Sequence, residues 1–308
     1  MYSEEICLSR HGSNLNSTDG SKTVEKAMGL RSDLLESCSS DFELNYTQNL
    51  TQSPDKSINY PHNVNPSRTL LPLMGMYPRR VLIYLAEKNI LKSPLIKITE
   101  VTVSPNSNSL TAPGKPQGTV PVLRLSDGKF IKQSIAILEY FEDICDNPQQ
   151  SWQIELAKNA GRSMRGKTAE EKARIREVLG LADEVTSQFG FACHKGTALF
   201  NMLEETHAIT AKHALEYCQK NLKLLEKYYE GDTRFDGGDG QVTVADCVLY
   251  STLHFAKDLY ALDLLADPEL ASLQAFYGWF SGRESVQVPE NHFPAQIKEL
   301  ACQWLPVE

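Results

Sequence analysis

The sequence has no run of about eighteen apolar residues, the length that a membrane-crossing helix needs. No membrane partner is therefore expected. It has no C-x-x-C pair. Cys7, Cys38, Cys145, Cys193, Cys218, Cys247 and Cys302 are scattered and odd in number. Such a set argues against a disulfide framework and reads as reduced thiols inside a cell. The 7 histidines show no ligand spacing, so no metal is expected. The chain also lacks an excess of basic residues. Its net charge of -8 argues against a general nucleic-acid binder, whose phosphate contacts need clustered Lys and Arg. The N-terminus has no apolar core and carries Glu4 and Glu5. No signal or transit peptide is expected there, and the expected location is cytoplasmic.

What is present is ordinary for a globular protein: 41% hydrophobic and 23% charged residues. A length of 308 residues suits about two domains. Residues 1–66 are rich in Ser, Asn, Asp and Thr and read as a polar, disordered extension. Within them SKTVEKAMGLRSDLLES could form one short amphipathic helix. The texture changes after that. Over 67–147 the pattern reads β-α-β-loop-β-β-α. TLLPLM is a short buried strand. PRRVLIYLAEKNIL is a helix with Val81, Leu82, Leu85 and Ala86 on one face and Pro78 in its first turn. LIKITEVTV is a strand by its β-branched content. TVPVLRL and FIKQ are strands joined by the turn SDGK, and SIAILEYFEDI is a helix. Over 152–308 the chain reads as all helical. ETHAITAKHALEYCQKNLKLLEKYYE places Ala211, Ala214, Leu215, Cys218, Leu222 and Leu225 at helical spacing. TVADCVLY opens with Thr243 and has Asp246 three residues on, a capping-box arrangement with Asp for the usual Glu or Gln.

One stretch does not fit its own pattern. In QGTVPVLRL, Pro121 interrupts an apolar strand, and proline cannot donate to a ladder. By itself this reads as the start of an edge strand. Its neighbours give it a second reading. PRRVLIYLAEKNI, QGTVPVLRLSDGKFIKQSIAILEY and TVADCVLY, in this order and spacing, resemble the cytosolic glutathione S-transferases from about Leu70 to Val286, and GRESV is similar to the family's R-P-S near the end of that span. The resemblance implies an α+β N-terminal thioredoxin-like domain followed by an all-α C-terminal domain that carries a second-substrate pocket.

The resemblance also implies glutathione as co-substrate. Pro121 then matches the family's cis-proline, with the Val120 backbone turned out to hold the cysteinyl part of the peptide. Gln133 and Ser134 match the family's Glu-Ser pair. Ser134 and the following N–H groups suit the γ-glutamyl carboxylate, and Gln133 accepts from the ammonium without a full charge. Ser134 also reads as a plain N-cap. Lys115 suits the glycyl carboxylate, and equally a solvated loop. The place where relatives carry the Ser or Cys that activates the thiol falls at about Gly75, which has no side chain. GMYP stands where thiol-bearing relatives have C-P-x-C, so reduction of disulfides through a protein cysteine is not expected. Tyr77 is the nearest hydroxyl and the candidate catalytic group, against the alternative of an aromatic lining the pocket. Ser67 and Thr69 are more distant candidates, and the backbone N–H of Met76 or Tyr77 is another. Met74, Tyr77, Phe189, Phe191, His194 and Phe200 are candidates for an apolar cleft. Arg79–Arg80 reads as a structural ion pair, and GRSMRGKTAEEKARIR as a solvated helix start.

The function implied is a transferase that uses glutathione on an apolar, electrophilic small molecule. It acts by conjugation, or by thiol addition and elimination that isomerises a double bond. The altered motifs and long tail look like a fungal relative in specialised (secondary) metabolism, and the family implies a homodimer. The alternatives are a non-catalytic regulatory protein on the same fold and a glutathione peroxidase.

Overall fold

The computed structural model describes residues 68–71, 75–99, 101–103, 110–201, 203–235, 240–289 and 292–307. The extension 1–66, with its expected short helix, and Ser67 and Met74 lie outside the described residues.

A four-stranded sheet in the order β2-β1-β5-β6 forms the first layer. β1 (Arg68–Leu71) pairs in parallel with β2 (Ile96–Ile98) and antiparallel with β5 (Val122–Arg124). β5 pairs antiparallel with β6 (Phe130–Ile131). The turn between them holds Gly128 at φ 85°, which glycine adopts without strain. The parallel pair needs a crossover, and α1 (Met76–Glu87) supplies it. α2 (Ser134–Asp146) follows β6 and packs against α1. Val81, Ile83, Tyr84 and Leu85 of α1 join Ile137, Leu138 and Phe141 of α2 in the core. Leu82 and Ala86, expected on the buried face, are only partly covered.

The expected strand LIKITEVTV is two strands. Ile96–Ile98 pairs with β1, whereas β3 (Thr102–Val103) leaves the sheet and pairs with β4 (Leu110–Thr111) as a separate ribbon. Its β-branched residues serve two partners, so β propensity alone could not show the break.

The second half is helical: α3 (Ser151–Asn159), α4 (Ala169–Gly196), α5 (Ala198–Asn201), α6 (Ala208–Tyr229), α7 (Val244–Tyr260), α8 (Ala271–Ser281) and α9 (Ala295–Ala301). α4 runs 28 residues without a break and packs on α6 and α7. Thr168 caps it, with Glu171 completing the capping box. The expected cap of α7 is present in full. Thr243 Oγ1 accepts from the Asp246 N–H at 3.2 Å, and Asp246 Oδ2 accepts from the Thr243 N–H at 2.7 Å. Asp246 also accepts from Tyr229 Oη and Arg234 Nη1 at 2.8 and 2.7 Å.

Two expectations about charged residues change. In the run GRSMRGKTAEEKARIR, Gly161, Arg162 and residues 167–174 are exposed as expected, but residues 163–166 are not. Met164 is buried, and Arg165 is held by Glu139, Asp143 and Asp146 at 2.6 to 3.1 Å. Arg79 and Arg80 also go to different places. Arg79 Nη2 donates to the Val286 carbonyl at 2.5 Å, and Arg80 pairs with Asp183 of α4 at 2.7 Å.

Candidate functional site

A cleft of about 850 Å³ opens between the sheet layer and α4. Thr119, Val120 and Pro121 form one edge and the start of α2 forms the floor. Arg176, Asp183 and Ser187 of α4 form the far wall, with Tyr77 at one side. The Val120–Pro121 peptide bond is cis. The ladder of β5 begins after it, at Val122 opposite Leu71, so Val120 stands outside the ladder on the cleft edge. A second cavity of about 740 Å³ lies behind α1. The Arg283 and Glu87 side chains in its wall are paired with each other at 2.7 Å, and Ser285 Oγ also donates to Glu87. None of the expected site residues lines it.

The floor of the cleft is suited to an anion. α2 begins at Ser134, and Gln133 takes the N-cap position without a side-chain hydrogen bond to the helix. This corrects the N-cap expectation for Ser134, which is the first helical residue. The opening N–H groups of a helix have no intrahelical acceptor, and here no side chain caps them. Ser134 is buried, and its Oγ accepts from Arg80 Nη1 at 3.4 Å. Lys115 is turned elsewhere. Its Nζ donates to the carbonyls of Pro116 and Gly118 at 3.0 and 2.5 Å. Burial and then the charge of Lys132 hold its pKa below the usual lysine value. Lys132, which the sequence reading did not single out, is the lysine that lines the cleft.

Tyr77, in the first turn of α1, is 36% exposed. Burial pushes its phenol up from 10.0. The Arg80 charge opposes this, Asp183 adds to it, and the Ser187 hydroxyl favours ionisation. The group is therefore a neutral donor at neutral pH. Gly75 caps α1 without any side-chain hydrogen bond, as the missing side chain requires.

The expected apolar lining is divided. Phe189 does not reach a cleft. It is wholly buried, edge-on to Tyr260 at 5.5 Å. Helical spacing places it with Val185 and Cys193 on the inward face of α4. The outward face carries Asp183, Ser187, Phe191 and His194. Phe191 is 47% exposed. His194 stacks on Phe200 with ring centroids 3.7 Å apart, and its Nδ1 bonds Glu204 Oε1 at 2.7 Å. Between these faces, Gly190 allows Met76 to approach: a Cβ there would lie 2.9 Å from Met76 Cε.

The α4 residues Arg176, Asp183 and Ser187 were missed because the sequence offers no local sign of them. Their spacing along one helix face was the signal available.

Comparison with known proteins agrees with this geometry. A family model described as "Glutathione S-transferase, N-terminal domain" matches residues 75–144. Glutathione S-transferase 2 of Saccharomyces cerevisiae is 33% identical over 123 residues, 38% of this chain and 47% of the relative. The match thus spans about half the length of that curated relative. The crystal structure of Gtt2 from Saccharomyces cerevisiae superposes with a TM-score of 0.53 at 24% identity, over 71% of this chain and 98% of the other. A glutathione transferase family member from Pseudomonas fluorescens Pf-5, solved with bound glutathione, gives 0.54 at 18% identity, over 71% and 96%. Residues 75–144 thus match a glutathione S-transferase N-terminal domain, and the fold is that of the glutathione transferase structures.

Proposed function

We propose that the chain is a glutathione-dependent transferase acting on an apolar electrophile. One observation carries this reading. The exposed Val120 edge, the uncapped start of α2 with Ser134, and the neutral donor Tyr77 all line one cleft. The γ-glutamyl carboxylate lies against Ser134 and the first N–H groups of α2, and Gln133 accepts from the ammonium. The cysteinyl backbone pairs with Val120. Lys132, rather than Lys115, is the lysine available beside the peptide. The bound glutathione in the Pseudomonas fluorescens relative supports the choice of ligand.

In this mechanism Tyr77 donates a hydrogen bond to the thiolate, and the N-terminus of α1 favours its negative charge. The thiolate attacks an electrophilic carbon held beside Phe191 and His194. If the adduct keeps the thiol, the product is a conjugate. If a bond rotates and the thiol leaves, the product is an isomer and glutathione is regenerated. We place both within specialised metabolism and expect a cytoplasmic homodimer, with domains at 67–147 and 152–308. No helix among the described residues is long and apolar enough to cross a membrane.

Turnover of a cis α,β-unsaturated ketone with glutathione, followed by product mass, tests the reading. A product heavier by one glutathione supports conjugation, and an isomer of unchanged mass supports addition and elimination. Glutathione binding without turnover of any electrophile favours the second reading, a non-catalytic protein on this fold, for which the bare Gly75 cap is the supporting observation. Reduction of an organic hydroperoxide instead would assign the peroxidase activity.

A further inference from the structure

His194 lies near the C-terminal end of α4, on the outward face that it shares with the exposed Phe191. Two contacts hold its ring. Phe200 stacks on it with centroids 3.7 Å apart, and Glu204 Oε1 meets Nδ1 at 2.7 Å. Glu204 is held in turn. Its N–H donates to the Phe200 carbonyl at 2.9 Å, and its other carboxylate oxygen lies 3.5 Å from Lys195 Nζ. Lys195 Nζ also donates to the Glu205 carbonyl at 2.8 Å. The Nε2 of His194 makes no hydrogen bond among the described residues, and the side chain is 51% exposed.

The bond to Glu204 decides what the free nitrogen can do. Burial raises the Glu204 carboxyl, but the His194 and Lys195 contacts outweigh it, so its pKa stands below the usual glutamate value. Glu204 is therefore ionised at neutral pH and can only accept. Nδ1 supplies the hydrogen, and in the neutral ring Nε2 is then an acceptor with an unused lone pair. The place of His194 along α4 matters equally. Tyr77 Oη lies 3.9 Å from where a Cβ at Gly190 would stand. His194 is one turn further on the same side, about 6 Å along the axis. One aryl ring spans such a step. A carbon attacked beside Tyr77 brings the far substituent of its ring to His194.

We propose that His194 determines specificity for the second substrate by accepting a hydrogen bond from a hydroxyl on it, and that Glu204 is the positioning residue for His194. The substrate class is an aryl-bearing electrophile with a hydroxyl across the ring from the attacked carbon. Phe191 covers the apolar part of such a molecule, and Nε2 takes its polar end. This rests on the reading that the chain is a glutathione-dependent transferase, and it narrows that reading from apolar electrophiles in general to hydroxyaryl ones. Charge balance alone does not require His194 here, because Lys195 already stands beside the Glu204 carboxylate.

The test uses two cis benzylidene acetones, one with a para-hydroxyl and the other its methyl ether. The two have similar electronics, and only the first can donate. Loss of each cis ketone with glutathione is followed by chromatography, which counts adduct and isomer alike, at about pH 7.5, where free imidazole is mostly neutral. The wild type should favour the hydroxyl over the ether about fivefold in kcat/KM, the worth of one neutral hydrogen bond. His194→Phe keeps a ring on Phe200 and removes the acceptor, so the ratio should fall to about one. Glu204→Ala frees the tautomer and the ring, and the ratio should fall between these values. Glu204→Asp should restore part of it. A loosened helix end would slow both ketones alike and leave the ratio in place, as would a preference due only to the bulk of the ether. A ratio that persists in His194→Phe therefore overturns the proposal, and one that persists in Glu204→Ala overturns the role of Glu204. Circular dichroism checks the fold. Should His194→Phe not fold, Glu204→Ala decides alone. A wild type that turns over neither ketone overturns the functional reading as well, whereas one that turns over both without preference overturns only this proposal.

Discussion

Lys88 and Glu142 meet at 2.8 Å, and neither side chain is exposed to solvent. Glu142 also accepts from Tyr84 Oη at 2.8 Å, the Met164 N–H at 2.8 Å and Ser163 Oγ at 3.0 Å. Lys88 Nζ also reaches the Arg162 carbonyl at 3.1 Å. The network joins α1 and α2 to the segment that leads into α4. Lys88→Met leaves the buried carboxylate with the more distant Arg165, at 3.8 Å, as its cation, and should cost about 3 kcal/mol. Urea unfolding should show a lower midpoint at an unchanged slope. A loss under about 1 kcal/mol would mean that water reaches Glu142.

Tyr77→Phe removes the candidate catalytic hydroxyl and keeps the ring. A lost donor to a developing anion costs about a hundredfold in rate, so kcat/KM should fall by that order while glutathione Kd holds. Loss of a thiolate stabiliser raises the thiol pKa. The rising limb of the pH–rate profile should therefore move to higher pH. An unmoved limb with unchanged kcat/KM would leave Tyr77 as wall only and transfer the role to a backbone N–H.

His254 lies half-buried against the Tyr250 ring, facing Arg79, Asp258, His292 and Lys298. Burial, then the Arg79 charge, pulls it down from 6.5 to about 4. The unfolded chain thus binds this proton at a higher pH than the fold does. The stability that depends on neutral His254 is full above pH 6.5 and is lost as pH falls through about 4. His254→Asn should flatten that part of the stability–pH curve. Identical curves for the two proteins, followed by urea midpoint, would refute this.

Two glycines of α4 should respond differently to the same methyl group. At Gly196 a Cβ would stand 2.5 Å from Ala211 Cβ, with the Trp304 ring at 3.1 Å. At Gly190 the clash is with Met76 Cε, the free end of a flexible chain. Gly196→Ala should therefore cost about 1–3 kcal/mol by overpacking. Gly190→Ala should be absorbed by a turn of Met76, with a thermal midpoint close to wild type. The reverse order would show that the α4–α6 contact is the softer of the two.

Much of the fold was legible because local chemistry marked it. Thr243 and Asp246 stand at cap spacing and cap α7. Pro121 alone reads as the start of an edge strand; the resemblance carried by its flanking motifs implies a cis bond, and its bond is cis. The helix face from Ala211 to Leu225 is buried apart from Leu215, which is partly covered. What escaped was set by distant partners. The break after Ile98 depends on Leu110–Thr111. Phe189 was misassigned because an aromatic residue gives no sign of which face of its helix turns inward. Asp183 and Arg80 are 103 positions apart, and no local pattern connects them.

The unbroken length of α4 has a consequence for how such a protein changes. Asp183 and His194 stand about three turns apart on it, about 16 Å along one stiff rod. The first sits at the proposed tripeptide cleft, and the second lies beyond it with Phe191. A lineage can therefore rewrite the last turns of this helix, acquiring a new small-molecule preference, while the grip on the shared co-substrate is inherited unaltered.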